Sequence, residues 1–224
     1  MKYYEPEHVE GYARIHAEGL SAWGQLHGES TFEDSEVRGV LAEVLPRLQF
    51  DSPHPAALEY GCGTGPGACL LAERGFRVCG IDQSPLAIEI ARREAAKRGF
   101  AIDYRVGDVC SDAPANEKYD LVVDSFCLQC IVTDDDRGRL FSFVKSALKS
   151  SGRYVIATAG YSPHRDYGGA EFDPATGIAL EGDLPCRRHV TADALVRELA
   201  AGGFTVEWHR TADDGDIALI ARLA

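Results

Sequence analysis

The stretch Glu59-Tyr60-Gly61-Cys62-Gly63-Thr64-Gly65 (EYGCGTG) decides the fold of this 224-residue chain. It ends the apolar run AALEY at 56–60 with three closely spaced glycines. Glycines let a ligand approach the backbone closely, and the amides at the start of a following helix can bind it. The stretch therefore predicts a strand, a tight turn and a helix, with a ligand at the turn.

The downstream sequence repeats this alternation of short apolar runs and helical segments. The runs are FRVCGID (76–82), AIDYRV (101–106), YDLVVDS (119–125) and RYVIATA (153–159). Between them, Ser84 and Pro85 are typical of a helix start, and a second helical stripe is predicted to end at Ser150–Gly152. Apolar runs of this kind are typical of buried parallel strands.

The two ends of the chain add helices and an antiparallel pair. Two amphipathic helices are predicted within 1–50, as an N-terminal helical cap. Residues 55–160 form the expected cofactor-binding core, the polar segment 160–190 a substrate lid, and 191–224 a helix followed by the strands FTVEWH and DIALIARL. We therefore expect a single α/β domain with a doubly wound, seven-stranded, mostly parallel sheet, an antiparallel C-terminal strand and helices on both faces.

Composition excludes several classes of protein. The formal charge of −12 disfavours a nucleic-acid partner, because the chain would repel a phosphate backbone. No apolar run is long enough to span a membrane, and the N-terminal residues lack a signal-peptide core. Seven cysteines, an odd number and mostly in apolar runs, predict reduced thiols and a cytoplasmic protein.

Two types of ligand are compatible with the glycine turn. Gly63-x-Gly65-x-x-Ala68 matches a dinucleotide-binding pattern, and Asp82 suits a ribose hydroxyl in either type of site. A carboxylate at Glu59 would disfavour an anionic pyrophosphate and favour an ammonium or sulfonium group. This charge argument favours S-adenosylmethionine over a nicotinamide dinucleotide.

The chain resembles the class I S-adenosylmethionine-dependent methyltransferases of the small-molecule type. The resemblance covers the acidic residue and glycine motif at 59–65, Asp82, Gly107-Asp108-Val109, the strand 119–125 and the antiparallel tail. It implies S-adenosylmethionine as cofactor and S-adenosylhomocysteine as product. The cofactor-binding residues it implies are Tyr12, Trp23, Glu59, Gly61, Cys62, Gly63, Asp82, Gln83, Asp108, Val109, Ser125 and Phe126.

The resemblance is weaker for catalysis. The segment DSFCLQCI (124–131) is similar to a family segment with two histidines, whose positions are occupied here by Phe126 and Gln129. Neither can accept a proton at neutral pH. His164, Tyr161 and His189, in the lid, are the candidate catalytic residues if the acceptor arrives protonated.

Two further motifs receive structural interpretations. Cys127 and Cys130 have CxxC spacing but apolar neighbours and no second pair, so packing is expected. Thr133–Asp136 is interpreted as a helix N-terminus, and no metal site is predicted.

The function expected from these observations is methyl transfer to a small, polar acceptor, with the oligomeric state undetermined. Three alternatives stay open at this point. They are rearrangement of S-adenosylmethionine itself, an NAD(P)-dependent oxidoreductase, and a non-catalytic S-adenosylmethionine-binding protein.

Overall fold

A computed structural model describes residues 2–28, 30–111, 117–167 and 169–224. Its helices are α1 (Glu5–Ala17), α2 (Glu36–Val44), α3 (Pro66–Glu73), α4 (Pro85–Lys97), α5 (Asp134–Ala147) and α6 (Ala192–Ala201). Its strands are β1 (Ala56–Tyr60), β2 (Arg77–Asp82), β3 (Asp103–Val106), β4 (Tyr119–Ser125), β5 (Leu148–Thr158), β6 (Glu171–Asp173), β7 (Ile178–Glu181), β8 (Leu184–Arg188), β9 (Phe204–Thr211) and β10 (Ile217–Leu223). Short 3-10 helices lie at Trp23–Leu26, Leu45–Arg47 and Leu128–Cys130.

The main sheet has seven strands in the order β3-β2-β1-β4-β5-β10-β9. β1 pairs in parallel with both β2 and β4, and only β10 runs against its neighbours. The predicted fold is therefore confirmed. The strand order reverses between β1 and β4, where ligands bind in open sheets of this kind.

Side-chain alternation along the strands produces two cores, one on each face of the sheet. Leu58, Val122 and Ile156 pack with α5 and α6 on one face. Ala57 and Val155 point the opposite way and pack with α2, α3 and α4. The helices that begin after the strands therefore cover both faces.

Capping residues account for the observed helix starts. The side chains of Ser84, Thr133 and Thr191 each accept a hydrogen bond from an amide in the first turn of α4, α5 and α6 respectively. The three aspartates after Thr133 lie in the first turn of α5. The interpretation of Thr133–Asp136 as a helix N-terminus is confirmed.

Three details differ from the prediction. Residues 148–152 continue β5, because that strand begins immediately after α5 at Ala147. Residues 171–188 form a three-stranded antiparallel sheet in the order β6-β7-β8, instead of an irregular connection. The helix α2 packs into the core and not into a separate cap, whereas α1 packs on α4 through Ile15 and Ile90.

In the described parts of the chain, no helix is both long and apolar enough to cross a bilayer.

A buried arginine ties α5 to the segment that follows β4. The Arg137 side chain is 2% exposed and its Nη1 donates to the carbonyl oxygens of Leu128 and Ile131, each at 3.0 Å. Its other donors pair with Glu198 on α6. Arg137 therefore holds the 3-10 turn 128–130 in place beyond the carboxyl end of β4.

We predict that Arg137→Met lowers the free energy of unfolding by about 2 to 4 kcal/mol, because two carbonyls and a carboxylate lose their partner. Arg139→Met is the matched control, since Arg139 on the same helix is exposed and pairs with Asp136. That control should change stability by less than about 1 kcal/mol in urea unfolding. Equal effects of the two substitutions would contradict this role of Arg137.

Candidate functional site

A cavity of about 540 Å³ opens at the carboxyl ends of β1, β2 and β4. Its volume lies in the range of small-molecule sites. All the predicted cofactor residues except Glu59 line it: Tyr12, Trp23, Gly61, Cys62, Gly63, Asp82, Gln83, Asp108, Val109, Ser125 and Phe126. The fold therefore brings together residues that are separated by more than a hundred positions in sequence.

The glycine turn forms one wall of this cavity because side chains do not fit there. Gly61 and Gly63 have φ of 59° and 54°, in the left-handed region. A Cβ on Gly61 would lie 2.4 Å from Cβ of Cys127, and one on Gly63 would lie 2.9 Å from the hydroxyl oxygen of Tyr12. The backbone of the turn is thus the surface that a ligand meets.

Asp82, at the end of β2, holds this turn in place. One carboxylate oxygen accepts from the Gly63 amide at 2.9 Å, and the other accepts from the Ser84 amide at 2.8 Å. Burial raises the pKa of Asp82, although both amide hydrogen bonds oppose this rise. Its carboxylate borders the cavity, where its remaining lone pairs can accept from ligand hydroxyls.

Asp108, just beyond β3, is held by groups from the N-terminus. It accepts hydrogen bonds from Lys2, from the Tyr4 hydroxyl at 3.0 Å and from the Cys110 amide at 2.9 Å. Burial alone would raise the pKa of Asp108, but the hydrogen bonds from Lys2, Cys110 and Tyr4 lower it. The residue lines the cavity as a carboxylate.

Two aromatic rings from the N-terminal segment form another part of the lining. Tyr12 on α1 and Trp23 in the adjacent 3-10 helix meet edge to face, with ring centroids 5.1 Å apart. Tyr12 is 6% exposed. Aromatic faces of this kind attract a cation such as a sulfonium.

The end of β4 has a strained backbone. Phe126 has φ of 55°, and its amide donates to the Ala157 carbonyl at 2.8 Å. Behind it, the fully buried Asp124 accepts from the amides of Cys127 and Leu128 at 3.0 Å. Burial raises the pKa of Asp124 to about 7. A non-glycine residue in this conformation is held by its surroundings, typically next to a binding site.

Glu59 does not reach the cavity, which corrects the expectation that its carboxylate faces the ligand. Its side chain is fully buried behind the turn, where a Cβ on Gly67 of α3 would lie 2.1 Å from its Oε1. Burial raises the pKa of Glu59 to about 8, against the opposing effects of the Ser125 hydroxyl and the Ala68 amide. Glu59 therefore supports the turn from behind.

The three predicted catalytic residues also lie outside the cavity lining. His164 is exposed, and the Tyr161 ring stacks on Phe172 at 5.8 Å. His189 is 5% exposed and contacts the Tyr167 ring, and burial together with Arg165 and Arg187 lowers its pKa to about 4. Their positions outside the lining do not support the expectation that they meet the acceptor.

Sequence reasoning missed several lining residues that come from distant parts of the chain: His8, Gln129, Cys130, Arg165, Arg187, Asp214 and Asp216. Gln129 accepts from the Thr158 hydroxyl at 3.3 Å and from the Ala159 amide, which ties the turn to β5. Arg165 donates to the Asp214 carbonyl at 2.9 Å and to the Asp216 carboxylate at 2.7 Å. Among these residues, Gln129 alone had a sequence signal for a place in the cavity, because it closely follows the strand β4.

His8, Cys130, Arg187 and Glu7 form a charged cluster beside the cavity. Arg187 makes two 2.6 Å hydrogen bonds to the Glu7 carboxylate. Burial alone would lower the pKa of His8, but its hydrogen bond to Cys130 raises it to about 9. Burial alone would raise the pKa of the Cys130 thiol, but Arg187 and His8 together lower it. The cluster therefore places Arg187 and the protonated His8 beside the Glu7 carboxylate and a thiol of lowered pKa.

No group of three or more His, Cys, Asp or Glu side chains in the described segments is arranged to hold a metal ion.

The chain is similar to known methyltransferases. A family described as a methyltransferase domain matches residues 57–152. Over 215 residues the chain is 30% identical to a ubiquinone biosynthesis O-methyltransferase of Methylocella silvestris, which corresponds to 88% of this chain and 80% of that protein.

Solved structures share the fold at lower sequence identity. A S-adenosylmethionine-dependent methyltransferase from Clostridium acetobutylicum superposes with a TM-score of 0.69 at 16% identity, over 96% of this chain and 98% of that one. The glycopeptide N-methyltransferase MtfA, in complex with S-adenosylmethionine, has a TM-score of 0.64 at 18% identity, over 88% of this chain and 98% of that one.

The buried carboxyl group of Glu59 predicts a specific pH dependence. Because the folded-state pKa of about 8 lies above the ordinary value of 4.5, the native chain retains a proton that the unfolded chain loses between these values. The free energy of unfolding of the wild type should therefore fall relative to Glu59→Gln as the pH rises from 4.5 to 8. We expect a relative loss of about 2 to 4 kcal/mol.

Urea unfolding of both proteins at several pH values measures this difference, in which the contribution of Asp124 cancels. Glu89→Gln, which changes an exposed carboxylate, should follow the wild type. A difference between wild type and Glu59→Gln that does not vary with pH would rule out a protonated Glu59.

Proposed function

Because the chain belongs to the family of S-adenosylmethionine-dependent methyltransferases, we propose that its cavity binds S-adenosylmethionine along the glycine turn and methylates a small polar acceptor beside His8 and Arg187. The single observation that carries this proposal is the meeting of the turn, Asp82 and Asp108 around one cavity at the strand-order reversal.

The lining residues fit this cofactor in shape and chemistry. The side-chain-free backbone at Gly61 and Gly63 accepts close approach of the methionine portion. Asp82, at the end of the second strand, is placed to accept from the ribose hydroxyls, and the Asp108-Val109 segment borders the space for adenine. Tyr12 offers the aromatic contact that stabilises a sulfonium.

When bound, S-adenosylmethionine supplies a methyl group activated by its positive sulfur. The chain contributes binding and alignment, which can supply up to about 7 to 11 kcal/mol in reactions between two bound molecules. Tyr12 and Trp23 cover the turn and exclude water from it. Asp82 and Asp108 fix the cofactor, so that the acceptor has to fit the remaining space.

The acceptor is proposed to carry an ionisable hydroxyl group. The Methylocella relative is named for transfer to oxygen, which supports this choice. The cavity offers hydrogen-bond donors on Arg165 and Arg187, together with the amide of Gln129. His8 has a pKa of about 9 and is therefore protonated at neutral pH, so it cannot remove the proton of the acceptor. The acceptor oxygen then enters as an anion or loses its proton to water.

Product analysis across a panel of acceptors tests this function. We expect S-adenosylhomocysteine to form in equal amount with an O-methylated product when phenols, catechols and N-hydroxy heterocycles are offered. Matched O-methyl ethers serve as controls that cannot react. Release of methylthioadenosine instead would indicate breakdown or rearrangement of the cofactor and would contradict methyl transfer.

Asp82→Asn should raise the Kd for S-adenosylmethionine at least about tenfold, because the variant loses a charge that accepts from the ribose. Isothermal titration calorimetry measures this change. Asp103→Asn is the matched control, since Asp103 is exposed on β3 and pairs with Arg105. Unchanged affinity in Asp82→Asn would exclude Asp82 from the cofactor site.

A further inference from the structure

Two cysteines lie at the two ends of one tight turn beside the cavity. The Cys130 amide donates to the Cys127 carbonyl at 2.9 Å, and both residues line the cavity. A hydrogen bond between residues three apart holds their Cα atoms within about 7 Å. Disulfides span Cα distances of roughly 4.4 to 6.8 Å. The turn therefore holds the two Cα atoms within about the span of a disulfide.

The surroundings of Cys130 favour the thiolate. Arg187 on β8 and His8 on α1 line the same cavity as Cys130, and their positive charges lower the pKa of its thiol. Glu7, also on α1, is the opposing negative charge, and it is neutralised by its two 2.6 Å hydrogen bonds from Arg187. Thiolates held by imidazolium and guanidinium groups are the nucleophilic form of cysteine.

Cys127 lies in a contrasting environment. It is half-buried against Gly61, and its charged neighbours are Asp124 and Cys130. Burial, followed by these negative charges, raises its pKa, so Cys127 keeps its proton. One turn thus holds one thiol of lowered pKa and one of raised pKa, an arrangement typical of an attacking and a resolving cysteine.

We propose that Cys130 and Cys127 form an oxidation site that takes small hydroperoxides and converts the pair to a disulfide. The Cys130 sulfur attacks one peroxide oxygen, so that an S–O bond forms and the O–O bond breaks. The leaving oxygen takes a proton and departs as water or an alcohol, and Cys130 becomes a sulfenic acid. The Cys127 sulfur then attacks Cys130, an S–S bond forms, the S–O bond breaks, and the released hydroxide leaves as water with the Cys127 proton. Two electrons pass from the thiols to the peroxide.

Oxidation is expected to alter the methyltransferase site. The Cys127 side chain fills the space next to Gly61, where a Cβ would lie 2.8 Å from its sulfur. A shift of Cys127 toward Cys130 would empty this space beside the turn. This consequence rests on the proposed function, whereas the thiol chemistry does not.

Peptide mapping after peroxide treatment tests the site without any cofactor. Trypsin cleavage after Lys118 and Arg137 releases residues 119–137, which contain Cys127 and Cys130 and no other cysteine. Reduced protein treated with a small excess of hydrogen peroxide should lose two hydrogens from this peptide. The half-buried Cys186, which lacks a hydrogen bond from a cation, should react at least about tenfold more slowly.

Three variants identify the roles within the pair. Cys127→Ser should stop at the addition of one oxygen to Cys130, trapped by dimedone, and Cys130→Ser should leave the peptide unoxidised. His8→Gln should slow oxidation at least about fivefold, because it removes the donor that stabilises the thiolate. Cys69→Ser, at a buried position outside the cavity lining, should oxidise like the wild type.

The proposal is overturned if residues 119–137 are modified no faster than the peptide with Cys186, or if Cys127→Ser reacts like the wild type. Calorimetry with S-adenosylhomocysteine supplies the second readout, in which the disulfide form should bind roughly tenfold more weakly and recover with dithiothreitol. Absence of binding to the reduced protein would contradict the proposed function, and the peptide result would still decide the thiol chemistry.

Discussion

The hydrogen bond between the Gly63 amide and the Asp82 carboxylate is the interaction on which the site depends. It joins the turn after β1 to the end of β2, and the second oxygen of Asp82 accepts from Ser84 at the start of α4. One buried carboxylate thus sets the position of the turn and of a helix. Glycine is required in the turn because Cys127 and Tyr12 approach it too closely for side chains. The cavity is the space that these contacts leave open.

The fold could be predicted from local patterns, because buried strands and capped helices each have a signature within a few residues. Ser84 and Thr191 are examples, since each begins the helix that its sequence position indicated. The pattern failed at Ser150–Gly152, where turn-forming residues lie inside β5 at the register shift between the pairs that Leu148 and Arg153 make with β4. It also failed at 171–188, where three short strands pair with one another in a separate sheet.

Much of the cavity lining was predictable for the same reason, because Gly61, Asp82 and Phe126 lie at or just beyond the ends of strands. Glu59 is the one predicted cofactor residue that does not line the cavity. The prediction that its charge selects a positively charged ligand does not hold, since its carboxyl group is buried behind the turn and has a raised pKa. S-adenosylmethionine is therefore supported by the family relationship and by the rest of the cavity, and not by this charge. The part of the cavity proposed for the acceptor could not be predicted. His8, Cys130 and Arg187 meet there through tertiary packing and share no spacing in the sequence.

A titration of the reduced chain with S-adenosylmethionine, S-adenosylhomocysteine and NADH in parallel is the first test of whether the cavity is a methyl-donor site. Both adenosyl compounds should saturate one site per chain and raise the melting temperature, by about 5 to 10 °C at a hundred times Kd. NADH should show no saturable binding. Binding of NADH more tightly than S-adenosylmethionine would contradict the assignment of the glycine turn, Asp82 and Asp108 to a methyl-donor site.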